Sequence, residues 1–184
     1  MSKPVKKGVP KSLFILIIVI LASMFYYAAY RDYSNPEVAV RSFYQAYFKN
    51  DYKTMSQNLS VFWGVQFMPQ YMLMSPQELI ENRPTIEDSM TEFISRMESE
   101  NKVPSNMSIK ILSKYTQRAD NTALVAYEFR QQNKLVGIEM ALLVKENNRM
   151  RILQMMQVDQ KQLNQLNGND IAEMEESFKE ILER

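Results

Sequence analysis

A run of about nineteen uncharged residues, from Ser12 to Tyr30, constrains this chain more than any other feature of its sequence. As a helix with a rise of about 1.5 Å per residue, the run reaches roughly 28 Å, which matches the hydrocarbon thickness of a bilayer. It is apolar on every face, unlike the one-sided helices that cover a protein core. The run therefore predicts a transmembrane helix over residues 12–30.

The residues at the two ends of this run predict its orientation. Lys3, Lys6, Lys7 and Lys11 precede it, and tyrosines cluster at its other end, where aromatic rings favour the level of the headgroups. By the positive-inside rule, residues 1–11 form a basic cytoplasmic tail and the rest of the chain lies outside the cytoplasm. We expect a single-pass protein of the cell membrane, with its N-terminus in the cytoplasm and its C-terminal domain outside.

A cleaved secretory signal is the alternative to a permanent anchor. Signal cleavage requires small residues before the cut, and cuts after Ala22 or Ala29 place Ile20 or Tyr27 where a small residue is preferred. The apolar stretch is also long for a signal. These features favour an uncleaved anchor.

Composition limits the chemistry of the chain. It contains no cysteine and no histidine, which removes disulfides, thiol nucleophiles, the commonest general base at neutral pH and the commonest ligand of zinc. Five of the 22 basic residues and none of the 21 acidic residues precede residue 32, so the remainder is mildly acidic. An acidic body argues against nucleic-acid binding. We expect no enzymatic activity, no metal and no cofactor.

Helical periodicity dominates the chain up to about residue 100. Four polar residues ahead of apolar stripes predict helix starts: Asn35, Asp51, Ser75 and Thr85. In the first of these helices the stripe contains Phe43, Tyr44 and Tyr47. Residues 61–74 are apolar and aromatic but carry a glycine and a proline, and they predict bent, partly helical chain.

Beyond Pro104 the apolar period changes from 3.6 to 2, and residues that favour strands become common. Four alternating rows begin near Ile109, Ala123, Val136 and Met150, the first continuing to Tyr115. The polar segments ADN, QQNK and ENNR separate them, as in hairpin turns. The pattern predicts a four-stranded antiparallel meander.

The C-terminal part predicts a helical extension over residues 159–184. Asp170 and Glu173 are suited to the first turn of its last helix, one face of which is apolar. That face is the candidate interaction face: Ile171, Met174, Phe178, Ile181 and Leu182. It packs either on the sheet or on a second copy of the protein. The predicted fold is thus α+β, with a transmembrane helix, a helix-then-sheet domain over residues 31–158 and this extension.

Two segments carry a resemblance to a known superfamily. NPEVAVRSFYQAYFKNDYKTM, and ADNTALVAYEF followed by LLVKENNRMRI, resemble small bacterial extracytoplasmic domains of the nuclear-transport-factor-2-like (cystatin-like, SnoaL-like) superfamily over residues 35–158. Met150 and Arg151 stand where such members commonly carry a tryptophan. The resemblance implies a cone-shaped sheet whose concave face is covered by helices, with a pocket at the open end. Membrane-anchored assembly proteins of type IV secretion are similar in layout.

Aromatic residues of the middle segment and of the sheet are candidates to line such a pocket: Trp63, Phe67, Tyr71, Tyr127 and Phe129. The alternative is that they fill the core. Three carboxylates are the most plausible on the sheet, namely Asp120, Glu128 and Glu139, and one that faced inward would have a raised pKa.

These observations favour a membrane-anchored module that binds a protein partner, or itself, without catalysis. A small-molecule binder using the aromatic pocket is the first alternative, and an isomerase or hydrolase is the second. The binder requires a cavity with inward polar groups. The enzyme requires a buried carboxylate or tyrosine pair at hydrogen-bonding distance inside it.

Overall fold

The computed structural model describes residues 11–30, 34–98, 106–166 and 168–182, with the side chains of residues 11–13, 27–30 and 169 outside that description. The chain divides into two compact units, Met1–Asp32 and Tyr33–Arg184. Helices combine with an antiparallel sheet, so the predicted α+β class is confirmed. Residues 1–10 of the predicted basic tail lie outside the described residues.

The first unit contains one helix, α1 (Lys11–Tyr30). Its described large apolar side chains are exposed, from 45% for Ile17 to 76% for Phe25. Within the residues that the structure describes, no helix combines the length and the apolarity that crossing a bilayer requires.

The second unit begins with five helices: α2 (Pro36–Tyr47), α3 (Tyr52–Asn58), α4 (Val61–Val65), α5 (Pro76–Glu81) and α6 (Arg83–Glu98). The predicted caps form at three of them. Asn35 accepts a hydrogen bond at the start of α2, Asp51 does so at α3, and Ser75 with Glu78 makes the capping box of α5. Hydrogen bonds between residues two or three positions apart therefore determine where these helices begin.

The helix α6 begins at Arg83, two residues before the predicted Thr85. Its Ile86, Met90 and Ile94 are buried at the expected spacing of four residues. The segment before α5 is bent, as predicted, with the short α4 and a 3₁₀ turn at Pro69–Tyr71.

The sheet has five strands: β1 (Met107–Ile111), β2 (Gln117–Arg118), β3 (Thr122–Gln131), β4 (Lys134–Glu146) and β5 (Arg149–Gln157). The order is β1-β3-β4-β5, all antiparallel, and β2 also pairs with β3. The predicted first strand, which continued to Tyr115, is wrong in extent. A 3₁₀ turn at Ser113–Tyr115 divides it into β1 and β2.

Two-residue turns close both long hairpins. Gln132 and Asn133 have φ of 49° and 65°, and Asn147 and Asn148 have φ of 47° and 61°. Positive φ at both central residues is the type I′ geometry, which matches the twist of antiparallel strands and suits asparagine. The predicted segments QQNK and ENNR thus act as the hairpin turns.

The two faces of the sheet bury different sets of residues. Val125, Tyr127 and Leu143 pack against the helices α2 to α6 in the main core. Leu124 and Met140 belong to a second, smaller core on the other face.

The smaller core is covered by the C-terminal helices α7 (Gln160–Gln165) and α8 (Gly168–Leu182). α8 begins two residues before the predicted Asp170. Alternation of side chains along each strand produces the two layers, and helices on both sides leave the sheet as the central layer of the unit.

Candidate functional site

A cavity of about 640 Å³ lies between the helices α2 to α4, α6 and the sheet. Its lining is mainly aromatic and aliphatic, with methionines from four separate elements. The aromatic residues are Phe43, Tyr44, Tyr47, Trp63 and Phe129, and the methionines are Met55, Met97, Met107 and Met155. Three further polar side chains reach it: Glu98, Glu139 and Gln157. The volume and this mixture are those of a small-molecule pocket.

The aromatic wall comes mostly from one face of α2. Phe43, Tyr44 and Tyr47 recur there at the helical spacing. The ring of Tyr44 contacts that of Phe43 edge-on at 5.0 Å and that of Phe129 at 5.0 Å between centroids. Such edge-to-face pairs fix ring orientation beyond simple burial.

The polar end of the cavity is formed by two tyrosines and a carboxylate. The hydroxyl oxygens of Tyr44 and Tyr127 are 2.8 Å apart. Tyr127 donates to Oε2 of Glu139 at 2.9 Å, and the Tyr44 hydroxyl lies 3.2 Å from the same atom. Tyr127 is fully buried, whereas Tyr44 and Glu139 line the cavity.

The pairing of the strands explains this cluster. Tyr127 of β3 is the cross-strand neighbour of Glu139 of β4, so both side chains project from one face of the sheet. That face meets α2 at Tyr44. The cluster therefore combines a cross-strand pair with one residue of a helix stripe.

Burial and the adjacent carboxylate determine the protonation of the tyrosines. Burial is the largest cause that raises the pKa of the Tyr44 hydroxyl well above its ordinary range, and the charge of Glu139 adds to it. Burial is likewise the largest cause that raises the pKa of Tyr127, and the neighbouring Tyr44 and Glu139 raise it further. Burial and Glu98 raise the pKa of Tyr47. The tyrosines at the polar end are thus protonated hydrogen-bond donors at neutral pH.

The structure brings some of the predicted pocket residues to this cavity. Trp63 and Phe129 line it, and Tyr127 lies at its polar end through its hydroxyl. Phe67 lies behind Trp63, at 4.9 Å between ring centroids, and lines a separate pocket of about 250 Å³. Tyr71 packs on the main core, and its hydroxyl is 2.8 Å from that of Ser89.

The α2 aromatics at the pocket were not among the predicted pocket residues. The sequence predicts Phe43, Tyr44 and Tyr47 only as the apolar stripe of a helix, and that stripe is the one signal in the sequence that points to them. Glu139 was one of the three candidate carboxylates, and it is the one that faces the cavity. Of the other two, Glu128 pairs with Arg130, and Asp120 is exposed in the turn before β3.

The candidate interaction face of α8 lies largely against the protein itself. Ile171 and Phe178 are buried, and Met174 packs on the smaller core. Ile181 is 42% exposed, and Leu182 is half-buried. Of the two alternatives for this face, the structure adopts packing on the sheet.

A hydrogen-bonded clamp holds α8 to the turn before β3. The carboxylate of Glu175 accepts hydrogen bonds from the backbone and side-chain amides of Asn121 and from the hydroxyl of Thr122. Burial alone raises the pKa of Glu175, but these donors, with help from Lys179, outweigh it and hold the pKa below its ordinary value.

A second buried ionic cluster lies away from the cavity. Glu146, fully buried, pairs with Arg83 of α6 and accepts hydrogen bonds from the Ser60 hydroxyl and the Val61 amide. Arg151 lies 3.7 Å from the same carboxylate. Burial raises the pKa of the Glu146 carboxyl. The two guanidinium groups and the hydrogen-bond donors act in the opposite direction but do not cancel the rise. Burial also lowers the pKa of Arg151 to about 10.

No group of three or more acidic, histidine or cysteine side chains placed to hold a metal occurs among the residues that the structure describes. No protein-family model matches the chain, and no curated protein and no solved structure shows significant similarity to it. The cavity is therefore the feature of the molecule that bears on function.

Proposed function

We propose that this protein is a membrane-anchored extracytoplasmic domain whose cavity binds a small, largely apolar molecule without transforming it. The observation that carries the proposal is the aromatic and methionine-lined cavity of about 640 Å³ with a polar cluster at one end. Apolar walls supply affinity, and a few polar groups fix orientation. Methionine side chains adapt to different ligand shapes.

The membrane anchor in this proposal is the apolar run of residues 12–30. The exposed surface of α1 supports it, because this helix exposes apolar side chains all along its described part. Apolar surface of this extent is stabilised by lipid. The lysine-rich tail then places the second unit outside the cytoplasm.

The arrangement of the second unit fits a cystatin-like cone, which we also propose. Helices precede a long antiparallel sheet and cover one of its faces, with bulges near Phe129 and Leu142. Bulges increase twist and allow a sheet to curve around a cavity. The two C-terminal helices are then an addition on the outer face.

Fluorescence of Trp63 provides the test of ligand binding. It is the only tryptophan, and it lines the cavity. We expect titration of the full chain in lipid nanodiscs with 4-phenylbutanol, a neutral apolar probe, to change its emission to saturation. Empty nanodiscs provide the background. A linear, unsaturable response indistinguishable from partition into lipid would contradict the proposal.

A pair of glycine variants tests whether the ligand occupies the cavity. Gly137 lines the cavity on the same side of β4 as Glu139, and a Cβ added there meets no atom within 4 Å. We expect Gly137→Leu to fill part of the cavity and to weaken binding at least about tenfold. Gly168→Leu, also in open space but at the start of α8, leaves binding unchanged.

A proton-transfer enzyme is a second candidate because the cavity meets the criterion of a tyrosine pair and a carboxylate at hydrogen-bonding distance. In that case Glu139 is the base. The test is exchange of the α-protons of 4-phenylbutan-2-one with D₂O. An exchange rate above that in buffer alone, which the Glu139→Gln variant lowers to the buffer rate, supports the enzyme. An exchange rate equal to that in buffer alone excludes the enzyme for this class of substrate.

Protein assembly through the α8 face has less support, because Ile171 packs in the smaller core and Phe178 is buried, with its ring 6.0 Å from that of Phe62 in α4. On this face Ile181 remains 42% exposed, and exposed apolar side chains away from it include Phe67, Met72 and Leu73.

A further inference from the structure

The tyrosine hydroxyl protons at the polar end of the cavity are already used within the protein. Each tyrosine hydroxyl has one proton. Tyr127 donates to Oε2 of Glu139, and Tyr44 has Tyr127, Glu139 and the sulfur of Met155 within reach. No described residue donates a hydrogen bond to the other carboxylate oxygen, Oε1. A ligand group that meets Oε1 must therefore donate, while the carboxamide of Gln157, the cross-strand neighbour of Glu139 that also lines the cavity, can donate or accept.

The polar end of the cavity carries the carboxylate of Glu139. Among the described residues that line the cavity, none is a lysine or an arginine that could serve as its counter-charge. A bound cation supplies that counter-charge, whereas a bound anion adds repulsion.

The aromatic wall favours the same sign of charge. The rings of Phe43, Tyr44, Tyr47, Trp63 and Phe129 line the cavity, and the faces of such rings are electron-rich. Cations bind the faces of aromatic rings, tryptophan best of all, and desolvated sites strengthen the attraction. Aromatic enclosure with an adjacent carboxylate is the chemistry that recognises organic ammonium groups.

Resting on the proposed function, we infer that the ligand of this cavity is an organic cation, an amine or ammonium group on an apolar body. The ammonium group meets Glu139 beside Tyr44, and the body lies among the methionines and aromatic rings. Neutral donors of the same shape bind more weakly, and carboxylates are disfavoured.

The experiment compares three probes of one skeleton: 4-phenylbutylammonium, 4-phenylbutanol and 4-phenylbutanoate. Each is titrated into the full chain in nanodiscs of zwitterionic lipid, with Trp63 emission as the readout and empty nanodiscs as the background. We expect the ammonium probe to bind about tenfold or more tightly than the alcohol. The carboxylate probe binds most weakly of the three.

Two variants test whether Glu139 causes the preference. In Glu139→Gln, which keeps the shape and removes the charge, we expect the ammonium and alcohol probes to bind within about twofold of each other. Glu128→Gln is the matched control, because Glu128 is a carboxylate on the neighbouring strand that pairs with Arg130 and does not line the cavity. It keeps the preference.

The outcomes separate the two proposals. Equal binding of the ammonium and alcohol probes to the wild type, or tighter binding of the carboxylate, overturns the cation inference and leaves an apolar binding site. Absence of saturable binding by all three probes overturns the proposed function itself. The wild-type comparison decides the inference even if Glu139→Gln fails to fold.

Discussion

At the residue scale, the buried charges have the largest consequences. Glu146 has a fully buried side chain, and its partners Arg83 and Arg151 are nearly as buried. Removing one partner of a buried ion pair costs about 3–5 kcal/mol. Loss of Arg83 removes the nearer cation of Glu146 and a donor to the Leu59 carbonyl, although Arg151 remains 3.7 Å from the carboxylate. An exposed ion pair contributes far less, because water and salt screen it.

Two arginines of the same helix provide the comparison. We expect Arg83→Met to lower the free energy of unfolding by about 3–5 kcal/mol. Arg96→Met, whose pair with Glu92 is exposed, changes it by less than about 0.5 kcal/mol. Urea denaturation followed by circular dichroism measures both. Similar losses for the two variants would show that the buried cluster has no special weight.

Only some of the contacts of single residues are predictable from the sequence. The caps at Asn35, Asp51 and Ser75 were predictable because their partners are three or fewer residues away. The cluster of Glu146 was not, because its partner Arg83 is 63 positions distant. The same applies to Tyr44, whose helix stripe predicted burial but not its neighbours Tyr127 and Glu139.

At the element scale, α8 is attached to the sheet by apolar contacts and by the Glu175 clamp. We expect Glu175→Ala to cost about 1–3 kcal/mol, because the Asn121 and Thr122 donors are left without their acceptor. Hydrogen exchange across Gly168–Leu182 should rise. Glu176→Ala, an adjacent position with a side chain 73% exposed, is the control, and an equal rise there would refute the clamp.

The clamp also predicts a response to acid. The pKa of Glu175 in the folded protein lies below its ordinary value of 4.5. The ionised clamp therefore contributes stability that is fully present above about pH 4.5 and is lost as pH falls through the folded pKa. We expect hydrogen exchange of α8 to increase at acid pH in the wild type and to depend less on pH in Glu175→Gln.

The hairpin turns supply a third prediction at this scale. Asn148 has φ of 61°, a conformation that costs a β-branched residue about 1–2 kcal/mol. We expect Asn148→Val to lower the thermal midpoint and Asn148→Gly to keep or raise it. Gln154→Val, in an exposed extended position of β5, leaves the midpoint nearly unchanged. A stable Asn148→Val protein would mean that the turn differs from type I′.

The positions of the helices and strands were more predictable than the surfaces against which they pack. Alternation and turn chemistry predicted β3, β4 and β5, since both depend on neighbouring residues. The interruption of the first strand at Ser113–Tyr115 was missed, because Tyr115 continues the apolar alternation. Both faces of β4 are apolar, so the pattern alone did not indicate that Glu139 faces the main core and Met140 faces α8.

At the scale of the whole molecule, the proposed topology is open to a labelling experiment. The chain has no cysteine, so an introduced one is its sole thiol. We expect Leu73→Cys, at a position 99% exposed, to react with a membrane-impermeant maleimide in intact cells. Ser2→Cys should react only after lysis. The reverse pattern would contradict an extracytoplasmic domain.

The methionines provide the most direct measurement of the central claim that the cavity is the binding site. Four of the fourteen methionines line it: Met55, Met97, Met107 and Met155. With ¹³C-methyl methionine in the full chain, we expect 4-phenylbutanol to shift the resonances of these four and to leave Met72 and Met140 in place. Shifts confined to Met72 or Met140, or no saturable shift at any methionine, would contradict the account.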